Sequence, residues 1–199
     1  MPNRTEKEEA IAEAAYALLE EKGYTGTSML AIARRARASN ETLYNWYGDK
    51  LGLFRALVTR NTEAIKTALE TAAKPGASTA ETLASLGPKL LEILLGPRAI
   101  ALNRAAAGDA TGSLGQALSG AGREVILPLI AEALEAGRSR GDLTFDTTEA
   151  AADLYISLLV GDLQIKRVTG ARPPLTKPER EARATRALAD FLTLTKPAA

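Results

Sequence analysis

The chain has no cysteine and no histidine. Without cysteine there is no disulfide, no thiolate metal site and no thiol nucleophile, which suits a reducing compartment. Without histidine the commonest general base and the commonest metal ligand are missing. A hydrolase or metalloenzyme would have to work from carboxylates, Lys, Ser or Tyr, and no carboxylate constellation stands out. The reading is therefore not an enzyme, with no cofactor. Aromatics are only 5% of the 199 residues, and β-branched residues are sparse beside Ala and Leu. That bias favours helix over strand. The net charge is +1, so no global basic field announces a polyanionic partner. The longest apolar runs, such as "VILPLIA" and "LYISLLV", fall far short of the roughly 20 residues of a membrane span. The charged start, "MPNRTEKEEA", has no apolar core of a secretory signal. A cytoplasmic chain without membrane contact is expected.

What is present is helical periodicity. Thr5 and Glu8 have the spacing of a capping box, and Ile11, Ala14, Ala15, Leu18 and Leu19 then make one apolar face up to Gly23. A second helix starts at Thr27 or Ser28 and buries Leu30, Ile32, Ala33 and Ala36. A third starts at Ser39, with Leu43 and then Trp46 or Tyr47 as apolar positions. Asp49 caps a fourth, from about Lys50 to Ala73, which "KPGAS" ends. A fifth contains Pro88, expected to kink or split it. A sixth starts at Pro97. Five glycines between Gly108 and Gly122 predict loose or broken helix. A seventh contains Pro128. An eighth opens with an Asp146/Glu149 capping box and runs through "DLYISLLVGDLQIKRV". The ninth has Thr176 as cap and Glu179 completing its box. The expected class is all-α, with about nine helices.

The segment "ARRARASNETLYNWYGDK", Ala33 to Lys50, is too polar for a core and too aromatic for a plain surface. Two short helices with a tight turn, the second polar at its start and aromatic at its end, suggest a helix-turn-helix. A recognition helix places its N-terminal residues against base edges in the major groove. Ser39, Asn40, Glu41, Thr42 and Asn45 fit that requirement. Tyr44 and Lys50 suit the sugar-phosphate backbone, as do Thr27 and Ser28 at the preceding helix start. Leu43 and Tyr47 read as core wedges. Trp46 reads as a packed ring whose N–H is left for a phosphate.

"TSMLAIARRARASNETLYNWYGDKLGLF", Thr27 to Phe54, resembles the DNA-binding signature of the TetR family of bacterial transcriptional regulators. Thr27, Ile32, Ala33, Ser39, Thr42, Leu43, Tyr44, Trp46, Tyr47, Lys50 and Leu53 match in type and spacing. The stretch "RGDLTFDTTEAAADLYISLLVG" is similar, more weakly, to an acyl-homoserine-lactone-regulator-like subgroup. The resemblance implies an N-terminal DNA-binding domain over 1–54, with helix 4 (about 50–73) linking it to a ligand-binding and dimerisation domain over 55–199. It further implies a homodimer, a double-stranded operator with palindromic symmetry, a small-molecule effector and repression. An all-α interaction protein of the same fold without small-molecule control is the alternative.

Two positions depart from the family pattern. The turn reads Ala36-Arg37-Ala38 where Ala-Gly-Val is common, so Arg37, a further candidate DNA contact, either takes a strained backbone or changes the turn. Glu41 stands where a small residue is frequent. It either accepts from a cytosine amino group or pairs with Arg34 or Arg37. Residues 1–50 carry seven basic and eight acidic side chains, whereas Arg34 to Lys50 carry four against two. Modest, salt-sensitive affinity per headpiece is expected. In the larger domain the candidate ligand residues are Asn103, Arg104, Tyr155 and Gln164, polar groups on otherwise apolar helices. The candidate dimer residues are Ala151, Tyr155, Leu158, Leu188 and Phe191, on the last two long helices.

Overall fold

The structure is a computed structural model that describes residues 3–73 and 76–197. Among these residues it holds eleven α-helices, one π-helical turn and no strand. In chain order the helices are α1 Arg4–Lys22, α2 Met29–Ala36, α3 Asn40–Tyr47, α4 Lys50–Ala72, α5 Thr79–Leu94, α6 Pro97–Ala107, α7 Ser113–Leu118, α8 Glu124–Ser139, α9 Thr148–Val160, α10 Leu163–Val168 and α11 Lys177–Leu194. The π turn, Ser119–Arg123, joins α7 to α8.

The all-α expectation holds, and several caps fall on the expected residues. Ser39 caps α3, Asp49 caps α4, and Thr176 with Glu179 forms the box of α11. The stop expected after α4 includes residues 74–75, which lie outside the described residues. Other boundaries differ for local reasons. The box of α1 is Asn3 with Glu6: Asn3 Oδ1 accepts from Glu6 N at 2.8 Å, while Glu8 is held by Arg4. Thr147, not Asp146, caps α9 and accepts from Ala150 N. The eighth predicted helix is two helices. Gly161 adopts φ +51° and stops α9, and α10 restarts at Leu163. The glycine-rich stretch supplies α7 and the π turn. Together these account for eleven helices where nine were expected. Pro88 and Pro128 lie inside α5 and α8 without splitting them.

Two hydrophobic clusters organise the chain. The first is built by α1 to α3 and the start of α4, and is completed by Ala101, Leu102 and Ala105 of α6 and Leu114 and Ala117 of α7. The second gathers the end of α4 with α5, α8, α9 and α11. Helix α4 enters both: Leu53, Phe54, Leu57 and Val58 lie in the first, Ile65 and Leu69 in the second. Tyr16 of α1 donates its hydroxyl to the Leu57 carbonyl at 2.9 Å, fixing α1 on that shared helix. Burial pushes the Tyr16 pKa up to about 12, so the hydroxyl stays a donor even above the usual tyrosine range.

Arginines close several helix C-termini, whose last carbonyls have no partner within the helix. Arg183 donates to the Leu158 and Leu159 carbonyls at 2.6 and 2.9 Å. Arg167, buried, donates to the Leu95 carbonyl at the end of α5.

Candidate nucleic-acid interface and effector cavity

Helix α2 ends at Arg37, a non-glycine residue at φ +53°, ψ +37°. Of the two expectations for this turn, the left-handed backbone is the one adopted. Two hydrogen bonds hold it: Arg37 N to Arg34 O at 3.3 Å and Ala38 N to Ala33 O at 2.9 Å. A left-handed non-glycine residue costs about 1–2 kcal/mol, and a glycine's extra freedom in the unfolded chain returns part of that. Arg37→Gly should therefore raise stability by about 0.5–1 kcal/mol, read from the urea midpoint. It should also weaken DNA binding, because it removes an exposed cation beside α3.

Helix α3 is anchored by Leu43, which is fully buried in the first cluster. Ser39 starts the helix: its Oγ accepts from Thr42 N at 3.0 Å and meets Thr42 Oγ1 at 2.7 Å. Ser39 and Thr42 thus shape the helix start. Opposite Leu43 the helix turns Asn40, Glu41, Tyr44 and Asn45 outward, at the i, i+1, i+4, i+5 positions of one face. Tyr44 is 49% exposed, large for an aromatic. No hydrogen bond from these four side chains occurs among the described residues, and Glu41 pairs with neither Arg34 nor Arg37. Arg35 is taken by Glu21 at 2.7 Å.

The flanking residues divide. Ser28 caps α2, accepts from Ala31 N at 3.2 Å and is exposed, which leaves its proton to donate outward. Thr27, expected at the backbone, is buried, and its hydroxyl donates to the Gly23 carbonyl at 2.7 Å. Its side chain closes the α1–α2 turn instead of facing DNA. Lys50 is half-buried. Its Nζ donates to the Tyr24 and Thr27 carbonyls, both at 3.0 Å, and lies 4.1 Å from the Tyr24 ring centre. Desolvation lowers its pKa from the usual lysine value. Two of its three protons fasten the turn, and the third has no hydrogen-bond partner among the described residues. Trp46 and Tyr47 are half-buried and meet edge to face at 6.3 Å.

A cavity of about 430 Å³ opens between α4, α6, the π turn, α8, α9 and α10. Its walls are aliphatic, with Val58, Ile65, Leu102, Ile126 and Val160 among them. Polar groups interrupt those walls: the neutral Asn61, Thr62, Asn103, Ser119, Ser157 and Gln164, and Arg123, whose guanidinium pairs with Asp153. Asn103 and Gln164, two of the four candidate ligand residues, are in this wall. Asn103 Nδ2 donates to the Ala99 carbonyl at 2.9 Å, leaving Oδ1 free. The other two lie elsewhere. Arg104 closes α10 by donating to the Arg167 and Val168 carbonyls at 2.9 and 2.8 Å. Tyr155 is buried between α5 and α11, with its hydroxyl on the Leu83 carbonyl at 3.1 Å. Sequence reading missed Asn61 and Thr62. Their signal was available: both interrupt the Val58–Ile65 stripe of α4. Thr62 Oγ1 bonds to the Ala121 carbonyl at 2.8 Å, tying the π turn to α4.

The expected dimer residues divide in the same way. Ala151, Tyr155 and Phe191 face the subunit's own core, at 2%, 1% and 0% exposure. Leu158 and Leu188 are only half-buried, and Leu154 and Leu192 share their outward side of α9 and α11. Nearby Leu194 is 62% exposed.

An all-helical chain that turns one short polar helix outward from a helix-turn-helix, below a larger helical domain with a cavity, has the build of a DNA-binding regulator. The comparisons with known proteins make the class specific. Residues 11–57 match the family of bacterial regulatory proteins of tetR type. Residues 81–194 match the C-terminal domain of AefR-like transcriptional repressors. The chain belongs to the TetR family of transcriptional regulators. A TetR-family regulator from Mesorhizobium loti MAFF303099 superposes with a TM-score of 0.81 at 26% identity, over 98% of this chain and 100% of that one. A TetR transcriptional regulator from Agrobacterium tumefaciens shares 31% identity, over 95% and 94% of the two chains, with a TM-score of 0.76. The flavonoid-responsive regulator FrrA shares 28%, over 97% and 98%, with a TM-score of 0.71. No curated protein sequence matches the chain significantly. No helix among the described residues is long and apolar enough to cross a membrane.

Proposed function

We propose that this regulator is a cytoplasmic, non-enzymatic repressor that binds a palindromic operator as a homodimer and is released by a small molecule. The observation that carries the proposal is the outward face of α3, four polar side chains with no hydrogen-bond partner among the described residues. Asn40, Glu41 and Asn45 suit base edges, and Tyr44, Ser28, Trp46 and the third proton of Lys50 suit the backbone. We place the DNA-binding domain at 1–54 and the effector and dimerisation domain at 55–199, with α4 between them. Leu154, Leu158, Leu188 and Leu192 supply the pairing face, as an apolar side of two long helices that the subunit leaves partly uncovered.

The cavity supports the effector. Val58, Asn61, Thr62 and Ile65 of α4 line it, and α4 begins in the core of the headpiece. Helix α6 lines it too, through Ala99, Leu102 and Asn103. Its Arg98 pairs with Glu13 and, at 3.4 Å, with Glu9 of α1. A ligand that fits one arrangement of α4 and α6 better than another shifts the headpieces, because both helices hold them. FrrA, a similar chain, is flavonoid-responsive. Here the wall residues are mostly aliphatic and neutral polar, with no aromatic among them and one cation, Arg123, which is paired with Asp153; this favours a ligand of largely aliphatic body with hydrogen-bonding groups.

Selection from random duplex DNA tests the reading. The expected product is a two-fold symmetric site whose half-sites lie one helical turn, or a multiple of it, apart. Recovery of no enriched sequence counts against it and favours a regulator fold serving protein interaction.

A further inference from the structure

The helix-turn-helix pattern does not include Arg4, yet the fold brings this residue to the edge of α3. Arg4 opens α1, and its guanidinium carbon stands 5.3 Å from the centre of the Trp46 ring. Its side chain is 75% exposed. Only Nε is engaged, donating to Glu8 Oε1 at 2.8 Å; the two terminal amino groups have no partner among the described residues.

The position follows from helix geometry. Successive residues of α3 turn by about 100°. Tyr44 and Asn40 then lie on one flank of the outward face, and Thr42 and Trp46 on the other. A helix with its side chains is about 10–12 Å across, and the major groove is about 12 Å wide. A seated α3 therefore presents one flank to each phosphate strand. The Asn40–Tyr44 flank has a backbone donor in the Tyr44 hydroxyl. On the Thr42–Trp46 flank α3 itself offers the Trp46 N–H and a Thr42 hydroxyl shared with Ser39.

We infer that Arg4 is a DNA-backbone contact, taking a phosphate of the strand that borders the Trp46 flank with its two free terminal amino groups. The inference rests on the proposed operator binding. Three features favour it. The free edge is the fork that matches two phosphate oxygens. The aromatic face and Glu8 hold the fork in place before DNA arrives, so less rotamer entropy is lost on contact. The cation also lies beside α3, at the start of a helix whose other charged residues are mostly acidic. The contact is to phosphate, so it adds affinity without base preference.

The test is a salt titration of binding to the duplex recovered by selection, comparing wild type with Arg4→Ala, Arg4→Lys and Glu8→Ala. Thermal midpoints and the emission of Trp46, the single tryptophan, confirm an intact headpiece. Arg4→Ala should bind more weakly, and the dimer's plot of log affinity against log salt should be shallower by about 1.8, the loss of one phosphate in each half-site. Arg4→Lys should keep the wild-type slope with reduced affinity, and Glu8→Ala should keep the slope with equal or higher affinity. Arg4→Ala with wild-type slope overturns the inference, whether its affinity is unchanged or reduced; a reduction without slope change marks a purely structural role. In that case wild-type binding leaves the operator reading standing. Absence of wild-type binding removes both.

Discussion

Phe191→Ala should lower stability by about 3–5 kcal/mol, the usual cost of emptying a buried aromatic site. Phe191 is completely buried and meets Tyr155 edge to face at 5.5 Å, in the cluster that joins α5, α9 and α11. Tyr155 is in turn fixed by its hydrogen bond to the Leu83 carbonyl. Removing the ring leaves a void with rigid walls, since Ala184 and Ala187 on the same helix cannot refill it. The sequence pattern suggested Phe191 as a dimer contact, and the two roles give different measurements. A core residue shifts the urea midpoint by the same amount at every protein concentration. An interface residue weakens dimerisation, with a loss that grows on dilution. The expected result is the first. A variant of near-native stability that dissociates at higher concentration would contradict the placement.

Glu41→Ala should change base preference at one position of each half-site by about 1–3 kcal/mol. Glu41 lies in the first turn of α3, is exposed and has no arginine partner in the structure. Either of two roles would explain an acid at that position. Pairing with Arg34 or Arg37 is not adopted, and acceptance from a cytosine amino group is the role we propose. The substitution also removes a negative charge from a surface that approaches phosphate. Binding to unrelated duplex should therefore strengthen slightly while discrimination falls. Selection profiles of wild type and variant measure this directly. Identical profiles would show that Glu41 reads nothing.

The part of the site that local chemistry dictates was legible in the sequence. Ser39, Asp49 and Thr176 cap helices because a short side-chain oxygen precedes an apolar period, and each is the cap observed. Leu43 is buried because it is the apolar position opposite four polar ones. Residues whose partners are distant in sequence were not legible. Arg104 meets carbonyls more than sixty residues away, and Arg183 meets those of α9. Nothing local distinguishes such a helix-capping arginine from a ligand-binding one. Helix α9 is apolar on several sides, so its pattern could not separate the side facing the core, with Ala151 and Tyr155, from the side left partly open, with Leu158. Thr27 and Lys50 carry the spacing of DNA contacts, but three-dimensional proximity joins them to each other in one turn. Gly161 broke a helix that periodicity continued, because the pattern carries no record of φ.

Whether α3 reads DNA is measured by the binding of a labelled duplex from upstream of the protein's own gene, in low salt. Wild type is compared with a variant carrying Asn40→Ala and Asn45→Ala. Wild type should bind this duplex, lose affinity steeply as salt rises, and prefer it to an unrelated duplex. The variant should fold normally and lose that preference. Failure of wild type to bind at low salt, or a variant that keeps full discrimination, would contradict this role of α3.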